Sequence, residues 1–330
     1  MAEDLAALRH ANPVPALDPR YQDGPLGHEA ERALNRLLHS DRAPTRRHPL
    51  ARRRTWVLAA TAAGAVLALV LPLTGPAGTP AAAAPPPLSI RSGSRPLPLA
   101  GLASRVAAGH GSLPLRQGTH VQTWSLGLSD GAGSRPPITL PEERIVRWEA
   151  DGSHSELVVA TDPRKPGKPV LSDADGGPRL VRDGHVLHRQ TYGPSWSDAP
   201  PQAQPPHSAS TLRSYLEEID TTTSVDDTPA LLDAVSQLLD NWTLGSPETT
   251  ALLRVLAQAK GLRPAGAVTD RLGRPGQAYV YDDAAHAGRG MLILDPATGA
   301  VLGLETTATR DDPAFGLRSG DVLTYSAWMR

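Results

Sequence analysis

The chain of 330 residues contains 33 Pro, 30 Gly and no Cys, and aromatic residues make up only 4% of it. The absence of Cys excludes structural disulfides, iron–sulfur clusters, thiolate zinc sites and cysteine nucleophiles. The net charge of −1 gives no bulk attraction for nucleic acid, so we expect no nucleic-acid partner.

Residues 1–54 are too few to bury a core of their own, and we interpret them as a cytoplasmic tail. One stretch of this tail predicts an amphipathic helix of about three turns, because apolar residues recur at helical spacing: Ala30, Ala33, Leu34, Leu37 and Leu38. Such a short helix is marginal in isolation. Leu34, Leu37 and Leu38 are therefore candidate contacts for a cytoplasmic partner, and the alternative is a helix that lies on a membrane or frays in water.

Residues 55–73 (TWVLAATAAGAVLALVLPL) carry no charge and, as a helix, would span about 28 Å, close to the thickness of a bilayer core. Trp56 lies where an interfacial aromatic residue belongs. Basic residues precede the segment: Arg42, Arg46, Arg47, Arg52, Arg53 and Arg54. The positive-inside rule then predicts a single-pass protein of the cell membrane, with a cytoplasmic N-terminus and an extracytoplasmic C-terminus. A cleaved secretory signal ending near the alanines of residues 81–84 is the alternative.

Residues 74–95 are rich in Ala and Pro and predict an extended spacer between the membrane and an outer domain, residues 96–330. A short helix is expected to open that domain within residues 96–110, with Leu99, Leu102 and Val106 on one face.

A period of two then predicts antiparallel strands. The expected elements are a strand at 119–126, a hairpin of 144–149 with 155–160, and a second hairpin of 179–182 with 185–188 around Asp183-Gly184.

Three helices follow, with hydroxyl residues expected as N-caps: Ser208 or Ser210, Thr228 before Pro229, and Ser246 before Pro247. The last seventy residues return to strands, expected at 277–281, 290–294, 300–309 and 321–328. The turn of residues 295–299 (DPATG) links the second strand to the third. The predicted fold class is α+β: a single transmembrane helix, then an extracytoplasmic antiparallel sheet with inserted helices.

No residue pattern indicates an active site, a cofactor or a metal. His185 and His188 stand three apart on a strand and should face opposite sides. The adjacent carboxylates at 226–227, 282–283 and 311–312 lack the further ligands of a calcium loop. The aromatic residues of the outer domain predict core packing, or an apolar groove for a lipid or a peptide.

The N-terminal LAALRHANPVP, the basic block, the apolar run and the C-terminal VTDRLGRPGQAYVYDD and MLILDPATGAVLGLETT together resemble a family of actinobacterial single-pass membrane proteins. Members of this family are often encoded beside extracytoplasmic-function sigma factors. The resemblance implies a role in stress sensing or anti-sigma regulation. The outer domain, with its strands around LDPATG, is also similar to the half-barrel of periplasmic lipoprotein carriers and related sensors. That second resemblance implies a concave sheet face able to hold acyl chains.

We therefore expect a sensor or regulator without catalysis that couples the outer domain to the tail. The partners would be the membrane, a sigma factor or another regulator at the tail, and a lipid or peptide outside. The alternative is a membrane-tethered carrier of lipid or lipoprotein. A cell-envelope enzyme remains a third class.

Overall fold

A computed structural model of the chain describes residues 85–109, 113–127, 137–174, 177–195, 197–219 and 224–329. The helices there are α1 (Leu99–Ala108), α2 (Ala209–Ile219), α3 (Thr228–Leu239) and α4 (Ser246–Leu256). The strands are β1 (Arg116–Gly127), β2 (Ile138–Trp148), β3 (His154–Ala160), β4 (Val170–Ser172), β5 (Arg179–Val181), β6 (His185–Tyr192), β7 (Trp242–Thr243), β8 (Arg263–Thr269), β9 (Pro275–Asp283), β10 (Gly288–Leu294), β11 (Val301–Ala308) and β12 (Val322–Trp328).

The strands form a ten-stranded sheet in the order β6-β3-β2-β1-β12-β11-β10-β9-β8, in which β7 also pairs with β1. Every pair in this sheet is antiparallel. The last strand, β12, lies beside the first, β1, with Trp124 opposite Tyr325. The first and last strands therefore adjoin in the middle of the sheet, which leaves β6 and β8 at its two edges.

Alternation along the strands separates two hydrophobic cores, one on each face of the sheet. The first core packs all four helices against β1, β9, β10, β11 and β12, and includes Leu102, Leu216 and Leu252 with Tyr279 and Trp328. The second core lies on the opposite face, around Trp124, Ile293 and Tyr325. Burial of the apolar helix faces accounts for the position of the helices on one side of the sheet.

The short β4–β5 hairpin forms its own two-stranded sheet and closes smaller cores. Leu171 packs with Ile138 and Leu140 of β2, while Val170 and Val181 pack with Ala160 of β3. This hairpin therefore covers one end of β2 and β3 and leaves their other end to different contacts.

The predicted fold class, an α+β domain behind a single transmembrane helix, is wrong. The described chain is mostly an antiparallel β-sheet with four helices. Among these helices none has the length and apolarity that a bilayer crossing requires. The longest, α3, has 12 residues and measures about 18 Å, against the ~30 Å of a bilayer core.

This finding also corrects the predicted location in the cell membrane as a single-pass protein with its N-terminus in the cytoplasm. An uncharged composition and flanking Arg residues are properties of the local sequence alone. The helices of the described chain are short and amphipathic because each packs one face on the sheet. The segment on which the prediction rested, residues 55–73 with its preceding Arg residues, lies outside the described residues.

Most of the other predicted elements are confirmed, and the second hairpin is wrong. Helix α1, strand β1, the β2–β3 hairpin and the four C-terminal strands occur where the sequence predicts them. The turn at Asp183-Gly184 also forms, with Gly184 at φ +76°. Its two flanking strands nevertheless part, because β5 pairs with β4 while β6 pairs with β3.

Two predicted N-caps are also wrong, since Thr228 and Ser246 are already the first residues of their helices. The Thr228 hydroxyl donates to the carbonyl oxygen of Lys260 at 2.6 Å, and the Ser246 hydroxyl accepts from the backbone N–H of Leu113 at 2.9 Å. Both hydroxyls tie a helix start to a distant segment. At the start of α2 the Ser208 hydroxyl does accept from the N–H of Thr211, at 3.3 Å.

Residues 85–94, called the N-terminal segment below, lie against edge strand β8, although the sequence predicts a spacer there. Ile90 forms a β-bridge with Val268, and the N–H of Arg91 donates to the carbonyl oxygen of Ala267 at 2.8 Å. The Ser94 hydroxyl accepts from the N–H of Ala267 at 2.9 Å. One edge of the sheet is thus covered by the chain itself.

A buried ion pair fixes the start of this segment. Arg271 pairs with Glu305, and their side chains are 5% and 1% exposed. Glu305 also accepts the N–H of Leu88 at 2.8 Å, and Arg271 donates to the carbonyl oxygen of Pro86 at 3.0 Å. The Arg271 guanidinium lies 5.2 Å from the ring centroid of Tyr325, so the segment is joined to the second core.

Candidate functional site

Half-exposed polar and aromatic side chains cluster on the helix-facing side of strands β2, β3 and β6. Arg144 pairs directly with Val121, which belongs to the helix-side core, and directly paired residues share a face of the sheet. The same register places six side chains together, and we name them the β2–β3–β6 surface: Arg144, Trp148, His154, Glu156, His188 and Tyr192. None of them belongs to a hydrophobic core cluster.

Three rings of this surface form a stack across the strands. Trp148 lies opposite His154, and His154 lies opposite Tyr192. Their ring centroids are 4.1 Å and 4.4 Å apart, with interplanar angles of 18° and 12°. The rings therefore stand face to face.

His154 is the middle ring, and its environment favours the neutral imidazole. Burial, more than the nearby charges, lowers its pKa below the ordinary value. Its Nδ1 atom is buried and makes no hydrogen bond among the described residues. A neutral ring can stack between two aromatic faces without the cost of desolvating a charge.

Glu156 is the centre of the charged part of the surface. It accepts from Arg144 Nε at 2.5 Å and from the Tyr192 hydroxyl at 3.5 Å, and His188 Nε2 lies 3.9 Å away. Burial and the charge of Glu156 raise the pKa of Tyr192, which keeps its hydroxyl protonated as a donor. Because the Glu156 and Arg144 side chains are 21% and 34% exposed, the pair is accessible to a ligand.

Asp240, at the end of α3, marks the boundary between the helices and this surface. Its carbonyl oxygen accepts from Arg144 Nη1 at 3.1 Å, and its Oδ1 accepts from Trp328 Nε1 at 3.1 Å. Burial raises the pKa of Asp240 above the ordinary value for Asp. The residue thereby links the surface to the central strand β12.

Strand β6 is an open edge. Among the residues that the structure describes, it pairs only with β3. Val186 is 42% exposed, and Arg189, Gln190 and Thr191 are exposed as well. Because alternate residues of an edge strand turn their N–H and C=O groups outward, about four residues of this eight-residue strand offer unpaired backbone groups.

The open edge is basic, although residues 85–330 contain 27 acidic and 23 basic residues. Arg182 and Arg189 are exposed, and His185 and His188 are half-exposed. The one acid among residues 182–193, Asp183, accepts the Thr161 hydroxyl and the N–H of Gly167, each at 2.6 Å. These hydrogen bonds lower the pKa of Asp183, whose charge is thus engaged within the fold.

One concave space between the helices and the sheet is small by comparison. A pocket of about 20 Å³ lies between α4 and strands β1, β7 and β12, where Trp242, Thr249 and Trp328 contribute to its wall. This volume accommodates about one water molecule, whereas small-molecule sites usually measure about 300–1,000 Å³.

The structure places the residues singled out in the sequence at separate positions. The tail residues Leu34, Leu37 and Leu38, like Arg46, Arg47, Arg52, Arg53, Arg54 and Trp56, lie outside the described residues. Within the described residues, no group of three or more His, Asp or Glu side chains could hold a metal ion. Four of these adjacent carboxylates have partners within the fold: Asp226 with Arg213, Asp282 with Arg263 and Arg289, Asp283 with His286, and Asp311 with the N–H of Ser319.

Sequence reasoning did not identify the β2–β3–β6 surface. The hairpin around Gly152 already implies that Trp148 and His154 are opposite neighbours, so half of the ring stack could have been found. The pairing of β6 with β3 crosses the β4–β5 insertion, and no local signal indicates it.

A scan against models of known protein families finds no match to this chain, and a search of curated proteins finds none that is significantly similar. The resemblance to actinobacterial single-pass proteins therefore stays a prediction, and the function must be inferred from the residues and their geometry.

Proposed function

We propose that this chain is a non-catalytic regulatory protein that binds its ligand at the β2–β3–β6 surface and the adjoining edge of β6. The observation that carries the proposal is the open, basic edge of β6 beside half-exposed aromatic and charged groups. A ligand there would meet the outward backbone groups of β6 together with the side chains of Glu156 and Tyr192.

The proposed regulator has two parts. The chain enters the described domain at the opposite edge, where residues 85–94 contact β8. Ligand binding at β6 and partner binding by Leu34, Leu37 and Leu38 would use different residues of the chain. Strands β1 and β12 connect the two edges through continuous pairing.

Photo-crosslinking in the native host tests the ligand surface. Gln190, exposed on β6, is replaced by p-benzoylphenylalanine in the full-length chain, and Arg318, exposed in the β11–β12 connection, carries the same replacement as a matched control. We expect a specific adduct only from position 190. Equal adducts from both positions, or none from position 190, would contradict the proposal.

The regulatory role has its own test. Leu34, Leu37 and Leu38 are replaced together by Ala in the full chain, and transcript levels in the host are compared with those of the unaltered chain. We expect a changed set of transcripts while the adduct from position 190 persists. An unchanged transcript profile with a persisting adduct would leave a binding protein but refute the regulatory role.

The carrier alternative finds no comparable support. The pocket beneath α4 holds about 20 Å³, far below the volume of an acyl chain, so this pocket would have to widen to admit a lipid.

A further inference from the structure

We infer that the ligand of the open edge is an extended, acidic polypeptide that adds to β6 as a further strand. The inference rests on the proposed function and names the chemistry of the partner. Three features carry it: the unpaired backbone of β6, its positive charge, and the way in which the opposite edge is already occupied.

The backbone of β6 is suited to strand addition. From His188 to Tyr192 the strand pairs with β3 in regular register, and the irregularity between Val158 and Val159 lies beyond that run. These five residues contain no Pro, so every one of them keeps its N–H group. An incoming strand could therefore form the alternating hydrogen bonds of an antiparallel or parallel pair.

At the other edge of the same sheet, an extended segment of the chain itself already lies along the edge strand. There the N-terminal segment lies along β8, with the Ile90–Val268 bridge and the Arg91 to Ala267 hydrogen bond. Extended chain thus already covers one edge of this sheet, while β6 lacks such cover among the described residues.

The positive charge of the open edge favours a negatively charged ligand. Arg182 and Arg189 are exposed and have no ion-pair partner among the described residues. Exposed Lys165 and Lys168 lie in the β3–β4 connection, whose Gly167 contacts Asp183 next to β6. A patch of this sign on a domain with an excess of acids attracts acidic chains and repels a second copy of the same edge.

The side chains on the two faces of β6 would contact alternate residues of the ligand. On the helix-facing side, His188 and Tyr192 adjoin the Glu156–Arg144 pair. On the other side, Arg189 and Thr191 are exposed. Since directly opposite side chains lie about 5 Å apart, acidic residues of the ligand would occur at every second position, on the side of Arg189.

Synthetic peptides and the full chain test this inference. The first probe is a ten-residue peptide with alternating Glu and Thr, and its counterpart carries Lys in place of Glu. We expect the Glu peptide to bind at least about tenfold more tightly in fluorescence anisotropy, with an affinity that falls as salt is added. Two further Glu peptides carry N-methyl groups on alternate residues, in the two possible phases. One phase should abolish binding and the other should retain it, because only one set of N–H groups faces β6.

Variants of the chain locate the site. Arg189→Glu should weaken binding of the Glu peptide about five- to tenfold, while Arg318→Glu, an exposed charge reversal on another connection, should leave it unchanged. Hydrogen exchange should show new protection at residues 188–192 upon binding, which a misfolded variant could not mimic.

Equal binding of the Glu and Lys peptides, or protection elsewhere in the chain, would overturn the inference. Concentration-dependent protection of residues 188–192 without peptide would also overturn it, since a second copy would then be the occupant. If the peptides fail while the position-190 adduct persists, the acidic-strand inference alone falls. If the adduct is absent too, the proposed function falls with it.

Discussion

The two edges of the ten-stranded sheet differ in whether another segment of the chain covers them. Strand β8 is covered by residues 85–94, which hydrogen-bond to its backbone and are fixed by the buried pair of Arg271 and Glu305. Strand β6 has no such cover among the described residues and carries charged and aromatic side chains instead. An exposed edge strand is an aggregation hazard, and natural proteins reduce it by covering the edge or by placing charged side chains on it. This sheet does both, one at each end.

The ion pair that holds the segment covering β8 and the ion pair of the β2–β3–β6 surface differ in the same way. Arg271 and Glu305 are almost inaccessible, so their attraction acts in a low dielectric and each would be costly to leave alone. Arg144 and Glu156 are about a third and a fifth exposed, so water screens them. The covered edge should therefore contribute to stability, whereas the open edge is available for binding.

The largest expected effect comes from breaking the buried pair. Glu305→Leu should lower the free energy of unfolding by about 3–5 kcal/mol, because it leaves the charge of Arg271 buried without a partner. The matched change at the open edge, Glu156→Leu, should cost only about 1 kcal/mol, since Arg144 is partly solvated. Urea unfolding measures both. The double variant Arg271→Leu with Glu305→Leu should recover most of the loss, and equal losses from the two single variants would refute the distinction between the edges.

A glycine beside the N-terminal segment gives a second contrast. Gly266 of β8 has φ +131°, and an added Cβ would lie 2.5 Å from the Ser94 hydroxyl and 3.0 Å from the Ile90 side chain. Gly266→Ala should therefore cost about 1–3 kcal/mol and expose residues 85–94 to protease. Gly193→Ala, at the end of β6, meets no atom within 4 Å and should change stability by less than about 0.5 kcal/mol. Unaltered proteolysis of Gly266→Ala would show that the segment does not depend on this close approach.

Removing a ring from the stack would measure how much the side chains stabilise the open edge. Tyr192→Ala removes the outer ring and the hydroxyl that contacts Glu156, and should cost about 1 kcal/mol. Thr191→Ala, its exposed neighbour, serves as the control and should cost less than about 0.5 kcal/mol. Thermal unfolding followed by circular dichroism would compare the two. A loss for Thr191→Ala as large as that for Tyr192→Ala would place the stabilisation in the backbone instead.

The smallest expected effect is the pH dependence of the ring stack beside the open edge. Burial lowers the pKa of His154, so the unfolded chain protonates first as pH falls below about 6.5, and the folded chain loses stability.

Unfolding free energies between pH 7 and pH 5 would test this dependence. The advantage of the unaltered chain over His154→Phe, which keeps the ring stack, should shrink as pH falls. A difference between the two chains that does not vary with pH would contradict the assignment.

Much of the secondary structure could be predicted because its causes are local. The alternation of residues 119–126 yields β1, the positive φ of Gly152 (+80°) allows the β2–β3 turn, and the turn of residues 295–299 joins β10 to β11 with Gly299 at φ +74°. The predicted fold class is wrong in its transmembrane helix, which rests on the hydropathy of residues 55–73, a segment outside the described residues.

The pairing partners could not be read from the sequence. Asp183-Gly184 has the residues of a hairpin turn, yet β5 and β6 belong to different sheets. Val181 of β5 is buried against Val170 and Ala160, and this packing favours the pairing of β5 with β4. The hydroxyls of Thr228 and Ser246 occur where N-caps are expected, but backbone groups of Lys260 and Leu113, distant in sequence, engage them.

The sequence by itself determined the period of each strand, the positions of the turns and the sign of the charge along β6, because these depend on neighbouring residues. Only the tertiary structure decided that β1 and β12 adjoin at the centre, that β8 is covered and that β6 is open. The same pairing brought Arg144, Glu156 and Tyr192 onto one surface. Contacts between residues far apart in sequence are selected by the burial of whole faces, a global balance that no local pattern encodes.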